Sequence, residues 1–242
     1  MRVKRRPSMQ MFTLFIGTAT HRGNASAVGI KVLEDLLAPV FPSFTILPAA
    51  GVFRGQSEQT YLVKVTTTDV IELIEQVETI RRTLAQEGVG MEHAGRYQRV
   101  VKDTDADALL HQMFPRIRPE YLTTVFQTVR PAAGWPDRFA LITGSNPDGE
   151  PQSAALNQQC HAELAAYVSG RQASFWEVNG CSPDLRHCEP GFGVATDLAT
   201  ALAVARRFRQ EAIFWIQEGL LSLWTADGTT DLPLGPWAAR LR

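Results

Sequence analysis

Twice along the chain, stripes of apolar residues at helical spacing fall between short β-compatible runs, and this repeat limits the fold more than any other feature. Met11 to Ile16 is an apolar run closed by Gly17 and reads as a strand. Behind an N-cap at Asn24 or Ser26, Val28, Val32, Leu33, Leu36, Leu37 and Val40 recur at helical spacing and stop before Pro42. Phe44 to Phe53 and Tyr61 to Val65 alternate about Gly55-Gln56-Ser57, a hairpin. Thr68 or Asp69 opens a second helix, on which Val70, Ile71, Ile74, Val77, Ile80 and Leu84 trace one face before Gly88. Val89 to Val101 reads as one closing strand. The order is β-α-β-β-α-β, that of ferredoxin-like domains, which set an antiparallel sheet against helices.

The second half repeats the order. Thr123 to Val129 and Arg138 to Gly144 are strands either side of a turn through Gly134. A helix from Ser153 to Val168 directs Leu156, Cys160, Leu164 and Tyr167 to the core, with Ser153, Asn157 and His161 on an adjoining stripe. Ala173 to Val178 and Phe192 to Ala195 are strands. Thr196 caps a helix marked by Leu198, Leu202, Ala205 and Phe208, and Glu211 to Ile216 pairs with Leu220 to Thr225 about Glu218-Gly219. The expected fold is α+β in two modules, residues 9–102 and 121–242, joined by 103–120 with a short helix.

At 242 residues, two small domains fit the usual domain size. A net charge of −1 offers no field for gathering nucleic acid or anionic lipid, and no basic aromatic strand signature of an RNA-binding module is present. No run reaches the ~18 to 20 apolar residues that span a bilayer. Three cysteines cannot all pair internally, which points to a reduced, cytoplasmic setting. Arg2, Lys4, Arg5 and Arg6 before the apolar run Met9–Ile16 resemble the start of a signal peptide, but the run is short and leads into Gly17 and His21 without a small-residue cleavage pattern.

Chemistry concentrates between Asn179 and Phe192, where glycines and prolines forbid a helix and Cys181, Ser182, Asp184, His187, Cys188 and Glu189 share one stretch, read as a loop. Asp184 is close enough to orient the His187 imidazole as a general base, and Glu189, extended by Pro190, projects to the same side as His187. Asn146, in a tight Ser145 to Gly149 loop, and Asn157 add hydrogen-bond donors. The plainer account has Asp184 capping a turn while the asparagines clamp loops. A zinc site at Cys181, His187 and Cys188 with Cys160 or His161 has the wrong spacing for a finger, so no metal is expected. Ser182 lacks a nucleophile elbow. Cys181 beside His187 is a candidate reactive thiol. Asp103, Asp105 and Asp107 lack the glycine and glutamate of a calcium loop. Arg206, Arg207 and Arg209 suit a helix dipole better than a phosphate, and Arg54 with Glu58 reads as a solvated pair at a hairpin tip.

Ile142-Thr143-Gly144-Ser145-Asn146-Pro147, Asn157, Cys181-Ser182-Pro183-Asp184, His187-Cys188-Glu189-Pro190-Gly191-Phe192 and Phe208 to Trp215 resemble, in order, the bacterial family called domain of unknown function 3293. The chain departs at Gly191, where serine is common, and at Arg209 and Glu211, where glycine and asparagine are familiar. That family carries no activity to transfer. Residues 41–58 resemble domain of unknown function 3574, whose members are often exported. The combined expectation is a small polar or anionic ligand in the second module, with His187, Asp184 and Glu189 catalytic, Asn146, Asn157, Ser182 and Gln210 binding, and no cofactor. Its rival is a non-catalytic protein that self-associates through its sheets.

Overall fold

Period-2 alternation and well-placed turn residues build two antiparallel sheets, accompanied by six α-helices, in a computed structural model that describes residues 9–18, 28–53, 55–171 and 174–242. The α+β expectation holds. Met9–Pro115 and Arg116–Arg242 form two compact units. Arg2, Lys4, Arg5, Arg6, His21, Asn24, Ser26, Arg54 and Ala173, invoked above, lie outside the described residues. No helix among those described is long and apolar enough to cross a membrane.

The first unit runs β1 (Gln10–Gly17), α1 (Ile30–Leu37), β2 (Phe44–Phe53), β3 (Gln56–Thr67), α2 (Val70–Thr83), β4 (Gly88–His93), β5 (Arg96–Val101) and α3 (Ala106–Met113). Its sheet has the order β2-β3-β1-β4-β5. The apolar run that resembles a signal segment is the middle strand, with Phe12, Leu14 and Ile16 fully buried and Leu14 paired to Val63 and Met91. Helix α2 starts as read, because the Asp69 carboxylate accepts from the Ile71 and Glu72 N–H groups. It buries Val70, Leu73, Ile74, Val77 and Ile80, each worth about 1.5 to 3 kcal/mol before chain entropy is counted. Three boundaries differ from expectation. The N-cap of α1 is Gly29; α2 ends at Thr83, with Leu84 as C-cap ahead of left-handed Ala85; and Val89–Val101 splits into β4 and β5 at Ala94-Gly95 (φ 50° and 78°). Asp105 caps α3 by accepting from the Asp107 and Ala108 N–H groups, the use to which this aspartate is put.

The second unit runs α4 (Pro119–Thr123), β6 (Val125–Thr128), β7 (Arg138–Thr143), α5 (Ala154–Ser169), β8 (Phe175–Cys181), β9 (Cys188–Val194), α6 (Leu198–Arg207), β10 (Ala212–Gln217), β11 (Leu220–Thr225) and β12 (Asp231–Pro236). Its sheet has the order β12-β11-β10-β7-β9-β8-β6. Alternation gives this sheet two apolar faces. Ala140, Ile142, Phe192, Val194, Ile213 and Trp215 pack under α5 and α6. The opposite face presents Phe126, Leu141, Val178, Phe214 and Leu223, next to an aromatic cluster in which Phe139 meets Trp135, Trp176 and Trp237. Gly193 is required there, because a Cβ would enter the Trp176 indole.

Here too some readings are corrected. Leu164 and Val168 are the buried residues of α5, while Leu156 is exposed and Cys160 half-buried, so the helix sits rotated from its expected face. Asp197, not Thr196, caps α6 by accepting from the Thr200 N–H. Strand β12, broken by Pro233 and Gly235 in sequence, was not anticipated. The β10–β11 turn at Glu218-Gly219 is as read, with φ 52° and 77°.

Candidate functional site

The stretch read as an irregular loop is mostly hairpin. β8 pairs with β9 from Phe175↔Val194 to Cys181↔Cys188, and only Ser182 to His187 turn. Cys181 and Cys188 face each other across the ladder, with Cα atoms 4.1 Å apart, and are joined as a disulfide. This corrects the reading of three reduced thiols: neither sulfur is a zinc ligand or a reactive thiol in this state, and Cys160 is the free cysteine. Among the described residues no cluster of three metal-ligating side chains occurs. Gly180 and Gly191 carry the composition of a loop, yet both lie in strand.

Asp184 serves the turn. Its Oδ1 accepts from the Ser182 hydroxyl at 2.7 Å and the Arg186 N–H at 3.2 Å, and the His187 N–H in turn reaches Ser182 Oγ at 3.1 Å. The hydroxyl first, then the Arg186 N–H, hold the Asp184 carboxyl below its ordinary pKa. The imidazole finds a different carboxylate: His187 Nε2 lies 3.5 Å from Glu189 Oε1, as the i, i+2 spacing along an extended chain allows.

Glu189 connects the hairpin to the loop after β7. Gly144 lets α5 approach closely, since a Cβ there would lie 2.6 Å from the Cys160 carbonyl oxygen. Asn146 then takes a left-handed conformation (φ 50°), one that asparagine tolerates better than most residues. Its N–H donates to Asn157 Oδ1 at 2.8 Å, and Asn157 Nδ2 donates back to Asn146 Oδ1 at 3.0 Å. The Asn146 side-chain amide donates to Glu189, with Nδ2 to Oε1 at 2.5 Å. Asn157, Asn146, Glu189 and His187 thus form one polar chain. Gln210, nearly buried, donates to the Ser145 and Phe208 carbonyls, and Arg209 pairs with Asp148.

Beneath this chain is a cavity of about 580 Å³, within the range of small-molecule sites. Phe126, Leu141, Val178, Phe214 and Leu223 line its apolar part, and Tyr121 on α4 stands edge-on to Phe214 with centroids 6.1 Å apart. Asn146, Ser182, His187, Glu189 and Gln210 line it with polar groups, whereas Asn157 and Asp184 do not reach its walls. Ser145 also lines it, and its hydroxyl is buried with no hydrogen-bond partner among the described residues. Arg118 and Glu211 close one side as a two-pronged ion pair at 2.6 and 3.0 Å, which raises the Arg118 pKa. Burial, and then the charge of Glu211, push the Tyr121 phenol up to about 12.

The sequence reading missed Arg118, Tyr121, Ser145, Glu211 and the Phe126–Phe214 pair. Ser145 sits inside the Gly144-Ser145-Asn146 run and was within reach. The others come from distant strands and α4, and only sheet pairing brings them together.

Residues 142–213 match the family model described as "Protein of unknown function (DUF3293)". That bears out the resemblance drawn from the same motifs. Among curated proteins nothing matches. A solved structure described as a phage SAM lyase in the apo state aligns with a TM-score of 0.32 and 14% identity, over 43% of this chain and 99% of its own.

Proposed function

We propose that the second unit holds a small polar ligand in the cavity, with His187 as an acid–base group partnered by Glu189. The supporting observation is the polar chain Asn157–Asn146–Glu189–His187 ending on the lip of an aromatic-floored hollow. An imidazole oriented by a carboxylate is equipped to move a proton to or from a bound group or water, the step a hydrolase needs. Asp184, tied to the turn, plays no part in that step. Asn146 and Gln210 hold the loop and also offer amide atoms to the ligand.

We propose a cytoplasmic setting, supported by the use of Gln10–Gly17 as a central strand. We expect no nucleic-acid or membrane partner, a reading supported by the net charge of −1. Self-association through the edge strands β6 and β12 is the second reading, and sedimentation tests it.

The test is a thermal-shift screen of small molecules on the full chain and on His187→Ala and Glu189→Ala. The His187 side chain is 74% exposed, so its removal moves the melting temperature by no more than about 2 °C. Stabilisation by a hit in the wild type, lost in both variants, supports the pocket. Hits that stabilise all three proteins equally would refute it.

A further inference from the structure

The charges around the cavity are lopsided. Glu120, Glu189 and Glu211 line it against a single guanidinium, Arg118, among the described residues. Glu211 already takes the Nε–Nη2 edge of that guanidinium and offsets its charge, so the pair presents no net positive charge to a carboxylate or phosphate. Glu120 and Glu189 are not paired with that guanidinium, and Glu189 meets only the Asn146 amide and the His187 imidazole among the described residues. On Glu189, Oε1 takes the Asn146 amide and faces His187, while Oε2 has no hydrogen bond among the described residues. A second, separate observation is Ser145, a residue 2% exposed on the cavity wall, whose hydroxyl has no partner among the described residues. A buried hydroxyl left this way costs free energy unless something else fills its place.

The remaining wall is apolar, its rings set nearly at right angles to one another. Phe126 and Phe214 meet edge to face at 4.9 Å, and Tyr121 adds a third ring. Aromatic faces attract cations as well as apolar bodies. The raised pKa of Tyr121 agrees: after burial, the charges of Glu211, Glu189 and Glu120 all oppose a negative phenolate, and only Arg118 favours it.

Resting on the pocket reading above, we propose that the ligand is a cation: an ammonium or amidinium group beside Glu189 and the Ser145 hydroxyl, carried on an apolar body that lies against Tyr121 and Phe214. This selects against the anionic ligands that the sequence left open.

Three probes that share one phenylethyl body separate the ideas: 2-phenylethylammonium, 2-phenylethanol and 3-phenylpropionate, titrated calorimetrically into the full chain. The ammonium is expected to bind about tenfold more tightly than the alcohol, and the carboxylate not detectably. Glu189→Gln should weaken the ammonium by about tenfold and leave the alcohol unchanged. Glu120→Gln, on an exposed position that folding does not need, should weaken the ammonium by a smaller factor and serves if Glu189→Gln disturbs the loop. Carboxylate binding equal to the ammonium, or ammonium binding indifferent to both variants, overturns the charge preference while the pocket stands. Failure of all three probes overturns the pocket itself.

Discussion

Replacing Asn157 by alanine tests whether the polar chain is what holds the Asn146 loop. Two hydrogen bonds disappear, from the Asn146 N–H at 2.8 Å and to Asn146 Oδ1 at 3.0 Å. At about 1 kcal/mol each the loss is about 2 kcal/mol. Asn146 Oδ1 keeps the Gln152 N–H at 3.0 Å, and Asn146 is half-buried, so water partly replaces what is lost. Alanine is the better helix former inside α5, which returns roughly 0.5 kcal/mol. The net expectation is about 1.5 kcal/mol, or a urea midpoint lower by roughly 0.7 M at an m-value of about 2 kcal/mol/M. All five tryptophans lie beyond Arg116, so tryptophan fluorescence follows the second unit alone. A midpoint unchanged to within about 0.2 M would refute the reasoning, because the loop's left-handed Asn146 would then be held by something else.

Three further outcomes follow from other parts of the molecule. Gly193→Ala should cost about 1 to 3 kcal/mol, measured by the same unfolding, because its methyl group overlaps the Trp176 indole. The Tyr121 phenol, raised from its ordinary 10.0 to about 12 in the folded chain, releases its proton later there than in the unfolded chain as pH rises; stability is intact below about pH 10 and falls toward about pH 12 by roughly 2 to 3 kcal/mol. Phenolate absorbance should show that late step, and Tyr121→Phe should lack it. Alkylation of thiols in intact cells should label Cys181 and Cys188 along with Cys160 if the protein is cytoplasmic, whereas finding the 181–188 bond intact there would move it to an oxidising compartment.

Much of the frame was legible because local signals agreed with the global pattern. In β1 the alternate residues Phe12, Leu14 and Ile16 declare a strand; in α2 an aspartate cap and an apolar stripe coincide; and Glu218-Gly219 between two β-rich runs gives a hairpin. Errors arose where residue type and backbone role diverge. Ala94 adopts a positive φ that alanine rarely takes, so the β4–β5 turn left no mark in the sequence. Gly180 and Gly191 read as loop, yet they are strand residues, and at Gly191 a Cβ would lie 2.7 Å from the Ile142 carbonyl oxygen. At the site, the link from His187 to Glu189 followed from two-residue spacing, and Asn146 with Asn157 from their shared end of α5. Asp184 misled because three-residue spacing fits an imidazole partner and a turn cap equally well, and the Ser182 hydroxyl took it. The cavity floor was invisible, since Phe126 and Phe214 stand 88 positions apart in numbering and meet only through the sheet.

The most direct measurement is a crystal of the full chain soaked in 4-iodobenzyl alcohol, with the iodine located by its anomalous signal. The account predicts a peak against Tyr121 and Phe214, with the probe's hydroxyl within hydrogen-bond reach of Glu189 or Ser145. A crystal in which Tyr121 has swung in to fill that space, or in which iodine binds elsewhere and leaves it empty, would contradict it.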